Sequence, residues 1–206
     1  MADEERRLVD AVRRGDGESF NALVRLYESR VYNLIYRMLG DADSAADTTQ
    51  DTFILAYRRL NTFRGGSFRS WLLRIATNAS YDALRVRKRR PAVSIDALLG
   101  EDEEQAPFQF PDHQAGPEDQ IAQKELAVAL QRVLAQLPED QRAVVVLSDI
   151  EGLAYEEIAL ITDTNLGTVK SRLSRGRARM RDLLRSGPTG ELLPLRYRHE
   201  TERNEG

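Results

Sequence analysis

The chain has 206 residues, with 30 Lys and Arg against 33 Asp and Glu, a formal net charge of −3 and 41% apolar residues. That composition suits one or two small water-soluble domains with little apolar material to spare. There is no cysteine, which excludes disulfides and thiolate metal sites and fits a reducing compartment. No apolar run is long enough to span a bilayer, and the N-terminal MADEERRLVD lacks the apolar core of a secretory signal, so a cytoplasmic protein is expected.

Glu4 to Arg14 reads as a short amphipathic helix with Leu8, Val9 and Val12 on one side, broken by Gly15-Asp16-Gly17. A long helix is expected from Glu18 to Leu39. Phe20, Leu23, Val24, Tyr27, Val31, Leu34, Ile35 and Met38 recur at spacings of three and four, and Gly40 is a natural stop. The next helix opens in DADSAADTTQDTFILAYRRL, with Asp43 or Ser44 as cap and Phe53, Ala56, Tyr57 and Leu60 on the buried side. Its outer edge carries Asp43, Asp47, Gln50 and Asp51. That edge either complements the helix dipole or docks a basic partner.

Ser67 caps a third long helix, SFRSWLLRIATNASYDALRVRKRR, which packs through Phe68, Trp71, Leu72, Ile75, Ala76, Ala79 and Ala83 and ends at Pro91. Another face places Arg74, Thr77, Asn78, Tyr81 and Arg85 at steps of three or four. Guanidiniums for phosphates, an amide for a base edge and a ring for stacking are the parts of a single-strand nucleic-acid surface. Trp71 reads as a core anchor; Tyr81 suits core packing and base stacking equally.

Charge is unevenly spread. Arg64 to Arg90 holds eight basic residues and one acid, a net of +7, whereas Pro91 to Asp119 holds eight acids and no Lys or Arg. Residues 91–119, with four prolines and the run GEDEE, read as a flexible acidic linker in which SIDALLG and PFQF are the apolar pieces. Helix resumes near Glu118 as IAQKELAVALQRVLAQL, and Pro138 starts PEDQRAVVVLSDIEG, which stops at Gly152. YEEIALIT follows, then DTNLGTVKSRLSRGRARMRDLLR. There Thr164 is the expected cap, and Val169, Leu173, Met180 and Leu184 form the stripe. Thr168 to Arg185 carries seven basic residues against Asp182, a net of +6. Two helices in that order, the second basic, make a helix-turn-helix. A lone basic run is better explained by a solvated face. Two such runs, each beside an apolar stripe, argue for two polyanion-binding modules. The fold class expected is therefore all-α: a helical domain over residues 1–90, the acidic linker over 91–119, a helix-turn-helix domain over 120–186 and a tail over 187–206.

Three blocks together resemble the bacterial extracytoplasmic-function sigma factors, initiation subunits of RNA polymerase. DADSAADTTQDTFILAYRRL is similar to the segment that family uses on the β′ clamp helices of core polymerase. SFRSWLLRIATNASYDALRVRKRR is similar to its promoter-melting, minus-10-reading helix. LPEDQRAVVVLSDIEGLAYEEIALITDTNLGTVKSRLSRGRARMRDLL is similar to its minus-35-reading domain. By position, the resemblance implies core-polymerase contacts at Asp43, Asp47, Gln50, Asp51 and Phe53. It implies minus-10 contacts at Arg74, Asn78, Tyr81 and Arg85, with Asn78 in the pocket region for a flipped base. It implies minus-35 contacts at Thr168, Lys170, Ser171, Arg172, Ser174 and Arg175. Arg and Lys suit guanine edges or phosphates, and Ser suits either. Asn165 stands where the family commonly has proline, and Ala154 where it commonly has a capping Ser or Thr.

The resemblance implies a non-enzymatic factor without cofactor or metal, whose partners are core polymerase and promoter DNA, duplex and single-stranded. The family's regulator is most often a membrane-anchored anti-sigma factor. The acidic linker is expected to thread toward the RNA path, where Glu101 to Glu104 would mimic nucleic acid. A dimeric helix-turn-helix repressor would explain residues 120–185 but not the face at Asn78. An enzyme finds little support, since His113 and His199 lie in the linker and the tail.

Overall fold

The computed structural model describes residues 2–89 and 117–186, which carry α-helices, a 3₁₀ turn, a π turn and no strand. The linker, with SIDALLG, PFQF and Glu101 to Glu104, and the tail, with the expectations attached to them, lie outside the described residues.

Helix α1 (Ala2–Arg13) leans on α2 (Gly17–Leu39). The glycine-flanked break between them supplies a cap of its own: Asp16 is extended, and its carboxylate accepts from the backbone N–H of Glu18 at 3.0 Å. Leu23, Val31, Leu34, Ile35 and Met38 on α2 are almost wholly buried, as their spacing predicts. Each is worth about 1.5–3 kcal/mol of burial. Helix α3 (Ala42–Arg59) starts at Asp41, not Asp43 or Ser44: the Asp41 carboxylate accepts from Ser44 N at 2.7 Å. Asp41 wins because it alone has the extended backbone just ahead of the first turn.

A 3₁₀ turn (Leu60–Thr62) leads to α4 (Phe68–Arg89), where the Ser67 hydroxyl accepts from Ser70 N at 3.1 Å, as expected of a cap. Phe63, Phe68 and Trp71 cluster with centroids 5.4–5.6 Å apart, and Tyr27 joins them 5.7 Å from Phe68. Trp71 is thus the anchor its position predicts. Helices α3 and α4 pack through small residues. The buried hydroxyls of Thr52 and Thr77 return to carbonyls four residues back, at 2.7 and 2.8 Å, so that no polar group is stranded.

The C-terminal domain comprises α5 (Pro117–Ala135), α6 (Glu139–Val145), a π turn (Val146–Ile150), α7 (Tyr155–Ile161) and α8 (Leu166–Ser186). Pro138 sits at the cap of α6, one place ahead of its first turn. The run from Arg142 to Leu147 is buried on all sides, which makes α6 the centre of this domain. Gly152 closes the π turn at φ +65°. Ala154 offers no side-chain cap to α7, but the Glu157 carboxylate accepts from Ala154 N at 3.1 Å, half of a capping box. Between α7 and α8, Asp163 adopts φ +51°, a conformation in which Asp is enriched. The cap of α8 is Asn165, not Thr164: its side-chain oxygen accepts from Thr168 N at 2.8 Å, while the Thr164 hydroxyl meets that of Thr162 at 3.0 Å.

The two domains pack together, and apolar contacts run unbroken from Val9 to Leu173. The last turn of α2, which ends at the left-handed Gly40, lies at the centre of the joint. Gln131 Nε2 donates to Tyr36 O at 3.2 Å, Arg87 Nη1 donates to Leu39 O at 3.1 Å, and Arg142 donates to Met38 O. The Met38 and Leu39 carbonyls that the helix end leaves free are thereby met, and Tyr36 O, which already takes the Gly40 N–H at 2.7 Å, gains a second donor. Arg142 Nη2 donates to Ala135 O at 2.8 Å and Leu137 O at 3.1 Å.

Candidate nucleic-acid interface

Each candidate residue sits where its helix puts it. On α4, Arg74, Asn78 and Arg85 are exposed along one face. Arg85 is held at 2.9 Å by Asp82, a solvent-exposed pair of little energetic weight. Tyr81 departs from its neighbours. Its ring is half-buried against the core, and burial pushes its phenol up to about 12. Arg172 and Asp140 of the other domain are close enough to act on it electrostatically. In this arrangement it is a packing residue with a polar rim, not an open stacking platform.

On α8, Val169 and Leu173 are buried and fix the helix, while Lys170, Ser171, Ser174 and Arg175 face outward. Thr168 is half-buried at the start of the helix. Arg172 is also half-buried, and Asp140 of α6 holds its Nε at 2.9 Å, so it braces α8 within its own domain. Arg175 Nε donates to Ser171 O at 3.2 Å on the exposed side of the helix. A hollow of about 300 Å³ is lined by Tyr155, Lys170, Ser174, Arg177 and Arg181. Its lining of cations and hydroxyls is of the kind that contacts a phosphate backbone. Arg177 at its edge is gripped by Asp149 at 2.5 Å, a hydrogen bond that raises the guanidinium's already high pKa. Tyr155 was missed from the sequence because its contribution comes from the preceding helix.

Gly176 has a structural role that the charge pattern concealed. A Cβ there would lie 2.8 Å from Val145 Cγ2 and 3.4 Å from the backbone oxygen of Gln141, so α6 and α8 cross at this point with no room for a side chain.

The third surface is a groove of about 1460 Å³ between α2 and α3. Gln50 and Phe53 line it, with Phe20, Tyr32, Asn33 and Tyr57. Phe53 is buried and forms its wall. Asp43, Asp47 and Asp51 are exposed on α3 outside the lining. Tyr57, expected on the buried side, is 53% exposed and Ile54 is 43% exposed; both line the groove, whose own carboxylates are Asp16, Glu18 and Glu28, with Arg58 beside them. No described helix is long and apolar enough to cross a membrane.

An all-helical pair of domains, one ending in a helix-turn-helix and both presenting basic helix faces, defines a nucleic-acid-binding protein. Comparison with known proteins then names the family. Residues 23–90 match the family described as Sigma-70 region 2, and residues 127–180 match Sigma-70, region 4. The chain is 43% identical over 166 residues to the ECF RNA polymerase sigma factor SigE of Mycolicibacterium smegmatis, a match covering 81% of this chain and 62% of that protein. It is 39% identical over 180 residues to the RNA polymerase sigma-H factor of Pseudomonas aeruginosa, covering 85% of this chain and 91% of that protein. Among solved structures, the sigma factor RpoE of Bartonella quintana in complex with the anti-sigma factor NepR superimposes with a TM-score of 0.62 at 25% identity, over 82% of this chain and 98% of that one. The chain belongs to the extracytoplasmic-function sigma factors. It is a transcription initiation factor and not an enzyme, and its partners are core RNA polymerase and promoter DNA, whose elements it recognises.

Proposed function

We propose a division of labour among the three surfaces. The domain over residues 1–90 holds core polymerase through the α2–α3 groove and the acidic rim of Asp43, Asp47 and Asp51, with Gln50 and Phe53 at the contact. The same domain captures the unpaired minus-10 strand with Arg74, Asn78 and Arg85. Asn78 is the base-edge reader, and Tyr81 joins once the domains separate. The domain over residues 120–186 reads the minus-35 duplex with Lys170, Ser171, Ser174 and Arg175. Thr168 supports the first turn of the helix and Arg172 sets its angle.

The observation that carries this reading is the segregation of groups. Acids and exposed apolar side chains surround one groove, while exposed cations, amide and hydroxyls lie on two other helices. Basic faces suit polyanions, and an acidic rim over an apolar floor suits a basic protein helix. Activity is expected in the cytoplasm, under an anti-sigma factor that covers the groove. The test is to add the protein to core polymerase with a promoter library and sequence the transcript starts. Promoter-specific initiation that falls more than about tenfold with Asp51→Arg supports the reading; starts at random positions overturn it.

A further inference from the structure

Helix α1 is seated on α2 by its apolar stripe, in which Val9 and Val12 are buried. Arg13, in its last turn, works outside that stripe. It reaches Phe63, 50 residues further along the chain: Nη2 donates to the Phe63 carbonyl, and the guanidinium lies 5.7 Å from the centre of the Phe63 ring. Asp10 steadies the other terminal nitrogen at 3.7 Å. A charge-assisted hydrogen bond and a cation over an aromatic face thus act on one residue, fixing its backbone and its ring together.

Phe63 governs what lies on either side of it. Its ring meets those of Phe68 and Trp71, each at 5.6 Å between centroids. Trp71 is half-buried and shares a helix face with the exposed Arg74 and Asn78, so its ring borders the candidate strand surface of α4. The Phe63 carbonyl leads into Arg64, Gly65 and Gly66. The two glycines have φ of +98° and +87°, and a Cβ on either would meet nothing within 4 Å. This loop has no packing of its own, so its path is set at its ends, by Phe63 and by the Ser67 cap. Arg64 is exposed and has no ion pair among the described residues, and it stands at the end of α4 away from the linker.

We propose that Arg13 is a positioning residue for strand capture: acting through Phe63, it holds the Trp71 ring and the loop at Arg64 to Gly66 along the border of the Arg74 and Asn78 face. Helix α1 thereby shapes a strand surface to which it lends no side chain of its own. This rests on the reading that α4 captures the unpaired minus-10 strand.

Trp71 is the only tryptophan, so its fluorescence in the free full-length chain reports this border directly. Arg13→Ala should raise acrylamide quenching of Trp71 by about twofold, as local contacts are lost. With core polymerase on promoter DNA, the same variant should slow opening, read by permanganate reactivity, by about fivefold. Closed-complex affinity should change by less than about twofold, because a misplaced group costs the step that uses it. Arg13→Lys keeps the charge over the ring and one donor for the carbonyl, and should recover most of the rate. Leu8→Ala removes part of the packing of α1 and leaves Arg13 on Phe63; it should lower the thermal midpoint and keep the wild-type opening rate. Opening at the wild-type rate in Arg13→Ala, while Asn78→Ala still slows it, would overturn the positioning role alone. Slow opening with wild-type quenching, or equal losses for the alanine and lysine variants, would overturn it too. If Asn78→Ala also opens at the wild-type rate, the strand reading itself falls and this role falls with it.

Discussion

The two helices proposed to read DNA are set up on opposite terms. On α4, Arg74 and Asn78 stand in solvent, and the helix is positioned by its far side, through Phe68, Trp71 and the back-bonded Thr77 and Ser80. On α8, part of the charged face itself is used for positioning: Asp140 holds Arg172 and Asp149 holds Arg177, while Lys170 and Arg175 are left outward. A helix that lies in a duplex groove has to enter at a set angle, and cations tied to its own domain supply that angle. A helix that captures flexible, unpaired bases needs an uncommitted mixed face more than a rigid charge array.

The contrast can be broken hardest at the crossing of α6 and α8. Gly176→Leu would force a side chain into Val145 and should destabilise the C-terminal domain by about 3 kcal/mol, an overpacking cost. Trp71, the only tryptophan, lies in the other domain, so its fluorescence follows that domain while far-UV circular dichroism follows the helices of both. A denaturation midpoint equal to wild type in the circular dichroism signal would refute the close crossing.

A paired substitution sharpens the comparison. Arg175→Ala should weaken minus-35 duplex binding by about 1–3 kcal/mol and leave strand opening intact once polymerase is bound. Asn78→Ala should do the reverse, slowing opening by about tenfold with little change in closed-complex affinity, because capturing an unpaired base must offset a few kcal/mol of unstacking. Binding by electrophoretic shift and opening by permanganate reactivity separate the two; parallel losses in both assays would merge the assignments.

The smallest effect is expected at the start of α8. Asn165→Ala removes the cap and should cost about 1 kcal/mol of stability, seen as a lower thermal midpoint, whereas Thr164→Ala should change it less. Equal shifts would return the cap to Thr164.

Helices and their buried faces were legible because a 3.6-residue period states which side is apolar. Leu23 to Met38 and Val169 with Leu173 are buried as their spacing requires. Caps were less legible. DADS and TDTN each offer several competent side chains in a row, and only the backbone conformation selects Asp41 and Asn165. The candidate faces were legible as sides of helices, but what another domain sets against them was not. Nothing local to Tyr81 or Arg69 indicates that Arg172 and Glu151 lie opposite, since those contacts join residues far apart in the chain. Tyr57 misled for a related reason: it sits at the edge of its stripe, where one helical step separates core from groove.

Arg142 joins carbonyls from both domains, with Met38 on one side and Ala135 and Leu137 on the other. A lysine in its place would carry the same charge but offer a single point of donation on a flexible stem. It could follow one partner or the other as the halves moved, whereas the flat, forked guanidinium satisfies all three only when they converge. Shape, more than charge, makes this residue a sensor of whether the two halves are in register.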